Sequence, residues 1–141
     1  MSERKLCTFI VEGSLFGVDV HFVQEVLRDQ ELTPVPTAPK TVRGLLNLRG
    51  QIVTAIDVRR RLGLADAVSK DCVHVVLRTS RGDTVSLVVD DVGDVIDVDV
   101  TQIEPVPETV PAKFRDHLTG IFKLEKQLLL ALDVERTLAI Q

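Results

Sequence analysis

Gly44 to Leu62 (GLLNLRGQIVTAIDVRRRL) lies over Gly120 to Leu138 (GIFKLEKQLLLALDVERTL) without a gap, and this internal repeat limits the fold more than any other feature. Gly44/Gly120, Leu48/Leu124, Gln51/Gln127, Ala55/Ala131, Asp57/Asp133, Val58/Val134, Arg60/Arg136 and Leu62/Leu138 are identical pairs, and most other pairs exchange one apolar residue for another. Upstream, at a slightly shorter offset, Val23-Gln24-Glu25-Val26 answers to Val92-Gly93-Asp94-Val95, and Pro34-Val35-Pro36 to Pro105-Val106-Pro107. Self-similarity at a fixed offset makes the architectural unit about half the chain. Two units are too few for a solenoid. A half of roughly 70 residues buries only a marginal core, so the halves are expected to pair and cover each other's apolar faces.

Composition agrees with one globular domain. At 45% hydrophobic and 27% charged residues, disorder is excluded as the main state. No apolar run approaches the roughly 20 residues that cross a bilayer. The start, Met1-Ser2-Glu3-Arg4-Lys5, enters a strand without the apolar stretch of a signal peptide, so a cytoplasmic chain is expected. Cys7 and Cys72 open the first strands of the two halves, without a C-x-x-C or a second pair, and read as small buried hydrophobes. Charge is unevenly divided: residues 1–70 carry ten Lys/Arg against eight Asp/Glu, and residues 71–141 seven against thirteen. Bases gather at Arg59-Arg60-Arg61, acids at Asp90, Asp91, Asp94, Asp97 and Asp99. Such asymmetry favours oriented docking to proteins. With no Trp or Tyr and five Phe, the chain lacks the stacking platforms of a nucleic-acid binder.

Alternating apolar residues predict strands over 8–12, 15–20, 45–48, 52–56, 73–78, 84–89, 120–124 and 127–132, with an extended acidic stretch over 90–100. Phe22, Val23, Val26 and Leu27 suit either one helical turn or a sharply bent strand. Pro34, Pro36 and Pro39 make the next segment an extended connection, and residues 101–113 form a second proline spacer. Gly50 supplies a positive φ for a tight turn at Asn47-Leu48-Arg49-Gly50. Asp57 and Asp133 are placed to cap short helices with their carboxylates. Ser80-Arg81-Gly82-Asp83 reads as turn chemistry, Phe114 to Leu118 as a short helix, and residues 65–70 as the linker between halves. About ten strands, five to each half, predict an all-β chain of two small curled barrels with short helical turns, packed on a shared core.

The motifs of catalysis are missing: no phosphate-binding loop, nucleophile elbow or zinc helix. His21, His74 and His117 are scattered, and no set with metal-ligand spacing emerges, so no catalytic, cofactor or metal residues are assigned. A binding module is the expectation, with a small β-barrel enzyme as the disfavoured class. The two repeats differ most tellingly at a hairpin tip, where Arg49-Gly50 faces Glu125-Lys126. An exposed Arg on a rigid tip offers a fixed fork of donors to a partner, and Glu25 is a polar group set in a small apolar patch.

The stretch Thr8 to Val11 with Phe16 to Val20, then Val23-Gln24-Glu25-Val26, resembles the opening of the CheW family of chemotaxis coupling proteins. Pro34-Val35-Pro36, and Val42 through Gly50 continuing to Leu64, resemble its most recognisable segment. Val88 to Val95, Ile103 to Pro107 and Leu118 to Leu138 resemble its second half, so the likeness spans Leu6 to Leu138. Thr54-Ala55 stands where the family often has a proline, and Phe16 where it often has tyrosine. The resemblance implies one CheW-like domain over residues 1–141, with subdomains approximated by 1–70 and 71–141 and strand exchange between them left open. It implies two pseudo-symmetric five-stranded SH3-like β-barrels, no catalysis and no cofactor. Its implied partners are the regulatory domain of a CheA-type histidine kinase and the cytoplasmic tip of methyl-accepting chemoreceptors, in receptor arrays at the membrane. The same module in another chemosensory or motility pathway is the alternative. By motif, Val23, Glu25 and Arg49 are the implied receptor-coupling residues, with Gly44 and Gly50 holding the geometry of the motif.

Overall fold

The computed structural model describes residues 3–66 and 71–138 of the 141-residue chain, so the linker expected over 65–70 lies largely outside the described residues. Ten strands run in the order β1 Glu3–Val11, β2 Ser14–Asp19, β3 Val23–Arg28, β4 Val42–Leu48, β5 Gln51–Asp57, β6 Val73–Arg78, β7 Thr84–Val89, β8 Asp91–Asp99, β9 Leu118–Lys123 and β10 Leu128–Leu132. Three short helices, α1 Val58–Arg61, α2 Ala112–Arg115 and α3 Val134–Leu138, and 3-10 turns at Val20–Phe22 and Val100–Gln102 complete the described elements. The fold is all-β, as expected. The V-Q-E-V segment, open between a helical turn and a sharply bent strand, is the bulged strand β3, and a helical turn precedes it at Val20–Phe22, where Asp19 accepts the His21 N–H. One local expectation shifts. The helix expected at Phe114–Leu118 starts earlier, directly after Pro111, whose restricted backbone suits a helix entry; Leu118 already belongs to β9.

The strands form two five-stranded sheets, ordered β8-β1-β2-β10-β9 and β3-β6-β7-β5-β4. Laid on the repeat, the two orders are the same: β8 matches β3, β1 matches β6, β2 matches β7, β10 matches β5 and β9 matches β4. Each sheet takes its opening hairpin from one half of the chain and its other three strands from the other half. The junctions are parallel pairs, β2 with β10 and β7 with β5, in matching register: Gly17 faces Ala131, and Ser86 faces Ala55. A bulge interrupts each edge pairing at the same place, between Val23 and Glu25 on β3 and between Val92 and Val95 opposite Cys7 and Phe9. Such an extra residue bends the strand.

Strand alternation distributes the apolar residues over three clusters. Cys7, Phe9 and Val11 of β1, Phe16 and Val18 of β2, and Val73, Val75, Leu77, Leu87 and Val89 of β6 and β7 pack together as the core between the sheets. Phe9 and Phe16 stack there with ring centroids 5.8 Å apart, and Phe114 of α2 covers Phe16 at 5.9 Å. The opposite faces carry smaller clusters, Leu6, Leu15, Val98, Phe122 and Leu129 in the first sheet and Leu46, Leu48, Val53 and Val76 in the second. The hairpin strands are therefore apolar on both faces, like strands of a buried sheet.

Each sheet curls so that its two edges meet through single bridges. Thr33, after β3, exchanges hydrogen bonds of 2.9 and 2.8 Å with Leu45 of β4, and Glu104, after β8, does the same with Ile121 of β9 at 2.8 Å both ways. The repeated glycines permit this crossing. A Cβ on Gly44 would stand 2.8 Å from the Thr33 carbonyl oxygen, and one on Gly120 would stand 2.8 Å from that of Glu104 and 2.5 Å from Ile103 Cγ1. Between the sheets, Arg59 of α1 donates Nε to Asp90 at 2.8 Å and Nη2 at 2.6 Å, while Nη1 pairs with Glu12 in the β1–β2 turn. This clamp joins three chain segments, and the guanidinium holds the Asp90 carboxyl below the usual carboxylate range.

Gly44→Ala and Gly120→Ala are each expected to destabilise the fold by about 1–3 kcal/mol, because a backbone carbonyl must give way; an unchanged urea midpoint would refute the crossing role. A carboxyl depressed in the folded state adds stability above its unfolded pKa of about 4, and that stability disappears as pH falls through the lower folded value. Asp90→Asn should therefore lower stability at neutral pH and flatten its decline below about pH 4. Urea melts from pH 7 to 3 would show parallel curves for both proteins if the clamp were inert.

Candidate protein-interaction site

The residues singled out from the sequence all lie in the second sheet, with Val23, Glu25, Arg49 and Gly50 towards one end. Val23 and Glu25 lie on edge strand β3, Gly44 lies on the opposite edge strand β4, and Arg49-Gly50 form the turn into β5. The β4–β5 register pairs Leu48 with Gln51, leaving a two-residue loop. Arg49 (φ 52°) and Gly50 (φ 88°) both have positive φ, the backbone of a turn that matches the twist of its strands. Gly50 accepts this conformation freely, and its N–H donates to Asn47 Oδ1 at 3.0 Å. Arg49 accepts it at a cost, since a side chain in the left-handed region meets its own carbonyl. The turn expected from Gly50 thus extends the positive φ to the arginine beside it.

The curl of the sheet places the Arg49 tip against β3, where Arg49 Nη2 donates to Glu25 Oε2. Glu25 is largely covered, with its side chain 23% exposed, whereas Arg49 is 72% exposed. Along β3 burial alternates: Val23, Glu25 and Leu27 are partly covered, while Gln24, Val26 and Arg28 face outward. Val23 packs against the core between the sheets. Gly44 stands at the other end of β4, under the Thr33 crossing, so it shapes the site by holding β3's continuation against β4. Beyond the tip, a groove of about 660 Å³ follows Gln51, Ile52 and Thr54 of β5 between Thr84 and the Glu135 and Leu138 of α3. Its lining is mixed, with Ile52 the most exposed large apolar residue among the described residues at 63%.

The groups that could have suggested chemistry are placed elsewhere. Asp57 Oδ1 accepts the Arg60 N–H at 3.2 Å and Asp133 Oδ1 that of Arg136 at 3.1 Å, so both cap their helices. His74 is fully buried, its Nδ1 within 3.0 Å of Ser86 Oγ, and burial pushes its pKa down. His117 is buried and shifted down for the same reason, while His21 is exposed. Among the described residues, no cluster of three or more His, Cys, Asp or Glu could hold a metal ion, and no helix is long and apolar enough to cross a membrane. The acidic β8 is partly neutralised: Asp97 pairs with Lys5 at 2.9 Å and Asp91 with Arg28 at 3.3 Å. The Arg59 clamp and the Glu25–Arg49 contact were not readable in advance, because both join residues far apart in the chain.

A CheW-like domain family matches residues 5–141. The Klebsiella aerogenes chemotaxis protein CheW is 33% identical over 137 residues, covering 96% of this chain and 82% of its own length. The Bacillus subtilis chemotaxis protein CheW is 31% identical over 135 residues, covering 96% and 86%. The crystal structure of the scaffolding protein TtCheW from Thermoanaerobacter tengcongensis superposes with a TM-score of 0.82 at 31% identity, over 92% of this chain and 88% of that one. With its two matching sheets and this likeness along nearly its whole length, the chain belongs to the CheW family of chemotaxis scaffold proteins.

Proposed function

We propose that the chain is a non-catalytic adaptor that binds both the cytoplasmic tip of methyl-accepting chemoreceptors and the regulatory domain of a CheA-type histidine kinase. It works in the cytoplasm, recruited to receptor arrays at the membrane. The observation that carries the receptor half is the Arg49–Glu25 pair. An exposed ion pair contributes about 0–1 kcal/mol, whereas a non-glycine residue in the left-handed region costs roughly 1–2 kcal/mol. Folding alone therefore gives no reason for an arginine at this position. A guanidinium held on a rigid turn, with its partner carboxylate largely covered, is instead suited to a fixed contact with a second protein. Val23 and Val26 supply apolar surface beside it on β3, and Glu25 sets the direction of the fork.

Signalling in this reading needs no chemistry in the adaptor. Receptor and kinase each bind, and a change in one shifts the packing of the other through the scaffold. Size-exclusion co-elution with the kinase regulatory domain, with and without a receptor cytoplasmic fragment, tests the reading: a complex that retains the fragment is expected, and failure to bind either partner would remove it.

Arg49→Ala should weaken receptor-fragment binding by about 1–3 kcal/mol with kinase binding unchanged. Arg49→Asn, which tolerates the left-handed region, should raise the melting temperature while also weakening receptor binding. Titration calorimetry with the receptor fragment and thermal melts of both variants check this. Normal receptor binding by either variant would show that the turn serves something else.

A further inference from the structure

The repeat provides an internal reference for every pocket, and at one place the two copies differ. In the second sheet, Arg43 divides the mouth beside α1. Arg43 Nη1 lies 3.4 Å from Asp57 Oδ2, Arg60 Nε lies 3.6 Å from the same oxygen, and Asp57 is 7% exposed. Beneath them His74 and Ser86 fill the interior with their hydrogen bond. In the first sheet the matching positions are Thr119 for Arg43, Asp133 for Asp57, Leu6 for His74 and Gly17 for Ser86, as the repeat and the strand registers assign them.

These exchanges leave a hollow. Thr119 is too short to reach Asp133, which keeps one guanidinium, Arg136 Nε at 3.8 Å, and is 27% exposed. Gly17 adds no side chain to the floor, where a Cβ would touch Leu129 and Leu6 at 3.1 and 3.2 Å. The result is one continuous space of about 380 Å³ walled by Leu6, Val98, Phe122 and Ala131, whereas at the matching place in the second sheet Arg43 borders both a recess of about 160 Å³ beside Asp57 and a shallow groove of about 500 Å³ along Asp29, Glu31 and Leu32. Its rim carries Asp19, Asp133 and Glu135 against Arg4, which pairs with Asp19 at 3.4 Å, and the Arg136 beside Asp133, so acids remain in excess. A concave apolar space of this size with a few polar groups at its mouth has the form of a ligand site.

We propose that this hollow docks an arginine-bearing apolar segment of a partner protein, whose guanidinium pairs with Asp133 while a neighbouring aliphatic side chain enters the space between Leu6 and Phe122. The occupant's chemistry follows from the other copy, in which an arginine of the chain itself occupies the corresponding position over Asp57. Net negative charge at the rim selects the cation, and the apolar walls select its neighbour. The site lies in the first sheet and does not depend on receptor coupling through Glu25 and Arg49.

The test uses the full chain and the peptide acetyl-Leu-Arg-Leu-amide, with its citrulline counterpart as a neutral isostere. Amide shifts of Gly17, Thr119 and Ala131 are followed by NMR up to about 10 mM peptide, a range that detects millimolar binding. Saturable shifts at these residues, at least tenfold weaker for citrulline, are expected. Thr119→Arg should supply the missing guanidinium within the chain, raise the melting temperature and abolish the shifts. Asp133→Asn keeps a helix-capping side chain and should weaken binding at least tenfold without change in circular dichroism. Equal binding of the two peptides, no saturable shift, or full binding by Asp133→Asn would overturn the proposal. Tighter binding of a simple alkylguanidine than of the peptide would also overturn it, by assigning the hollow to a small cation.

Discussion

Two parallel strand pairs, β2 with β10 and β5 with β7, are the contacts on which the rest of the molecule depends. Within residues 3–66 the strand ladders are the hairpins β1–β2 and β4–β5, and within 71–138 they are β6–β7 and β9–β10. Every other ladder joins one half to the other. An isolated hairpin is marginal in water, so each half alone would hold two marginal pieces. Parallel neighbours cannot be joined by a tight turn, and here they come from opposite halves of the chain. The exchange also explains why the hairpin strands are apolar on both faces. They are central in one sheet and at the same time form the floor of the core shared with the other.

Given that frame, the repeat separates structural positions from free ones. Gly44 and Gly120 persist because the proline spacer crosses them, and Asp57 and Asp133 because a helix begins after each. Val58 and Val134 both enter the core between the sheets. Where the copies depart, the frame makes no such demand. Arg59 becomes Glu135, and the clamp to Asp90 exists in one copy only. Arg43 becomes Thr119, and a mouth divided by an arginine becomes a single hollow walled by apolar residues. A five-residue difference between the repeat offsets is taken up in the second spacer, where α2 brings Phe114 over Phe16.

Local features were the legible ones. Strands β6 and β7 fall at the residues that alternation indicates, and both aspartate caps follow from an acid directly before a helix. The V-Q-E-V segment stayed open between a helical turn and a bent strand because its apolar spacing suits either, and the pairing with β6 that decides for the strand is not local. Which half supplies each strand was not legible either, since strand pairing between distant segments leaves no mark on local periodicity. At the candidate site, Glu25 and Arg49 could each be singled out, but their contact follows from the curl of a sheet whose edges lie far apart in the chain.

The strained turn can be judged against others in the same chain. Glu12-Gly13 uses the same pair of positive φ angles, and Glu12 is held there by the Arg59 clamp, whose side chain is only 16% exposed. In that turn the strain accompanies a contact that joins the two sheets. The hairpin matching Arg49-Gly50 in the second half closes through Glu125-Lys126, with no positive φ at either residue and a hydrogen bond of 2.9 Å from Leu124 N–H to the Gln127 carbonyl. This hairpin can therefore be closed in the fold without strain. Arg49 keeps the strained form at a tip where its partner is Glu25 and most of its guanidinium faces solvent. Neither the demands of the sheet nor the strength of an exposed ion pair accounts for that choice. A fixed donor fork presented outward from edge strands, beside Val23 and the exposed Val26 of β3, fits the receptor-coupling role proposed for it.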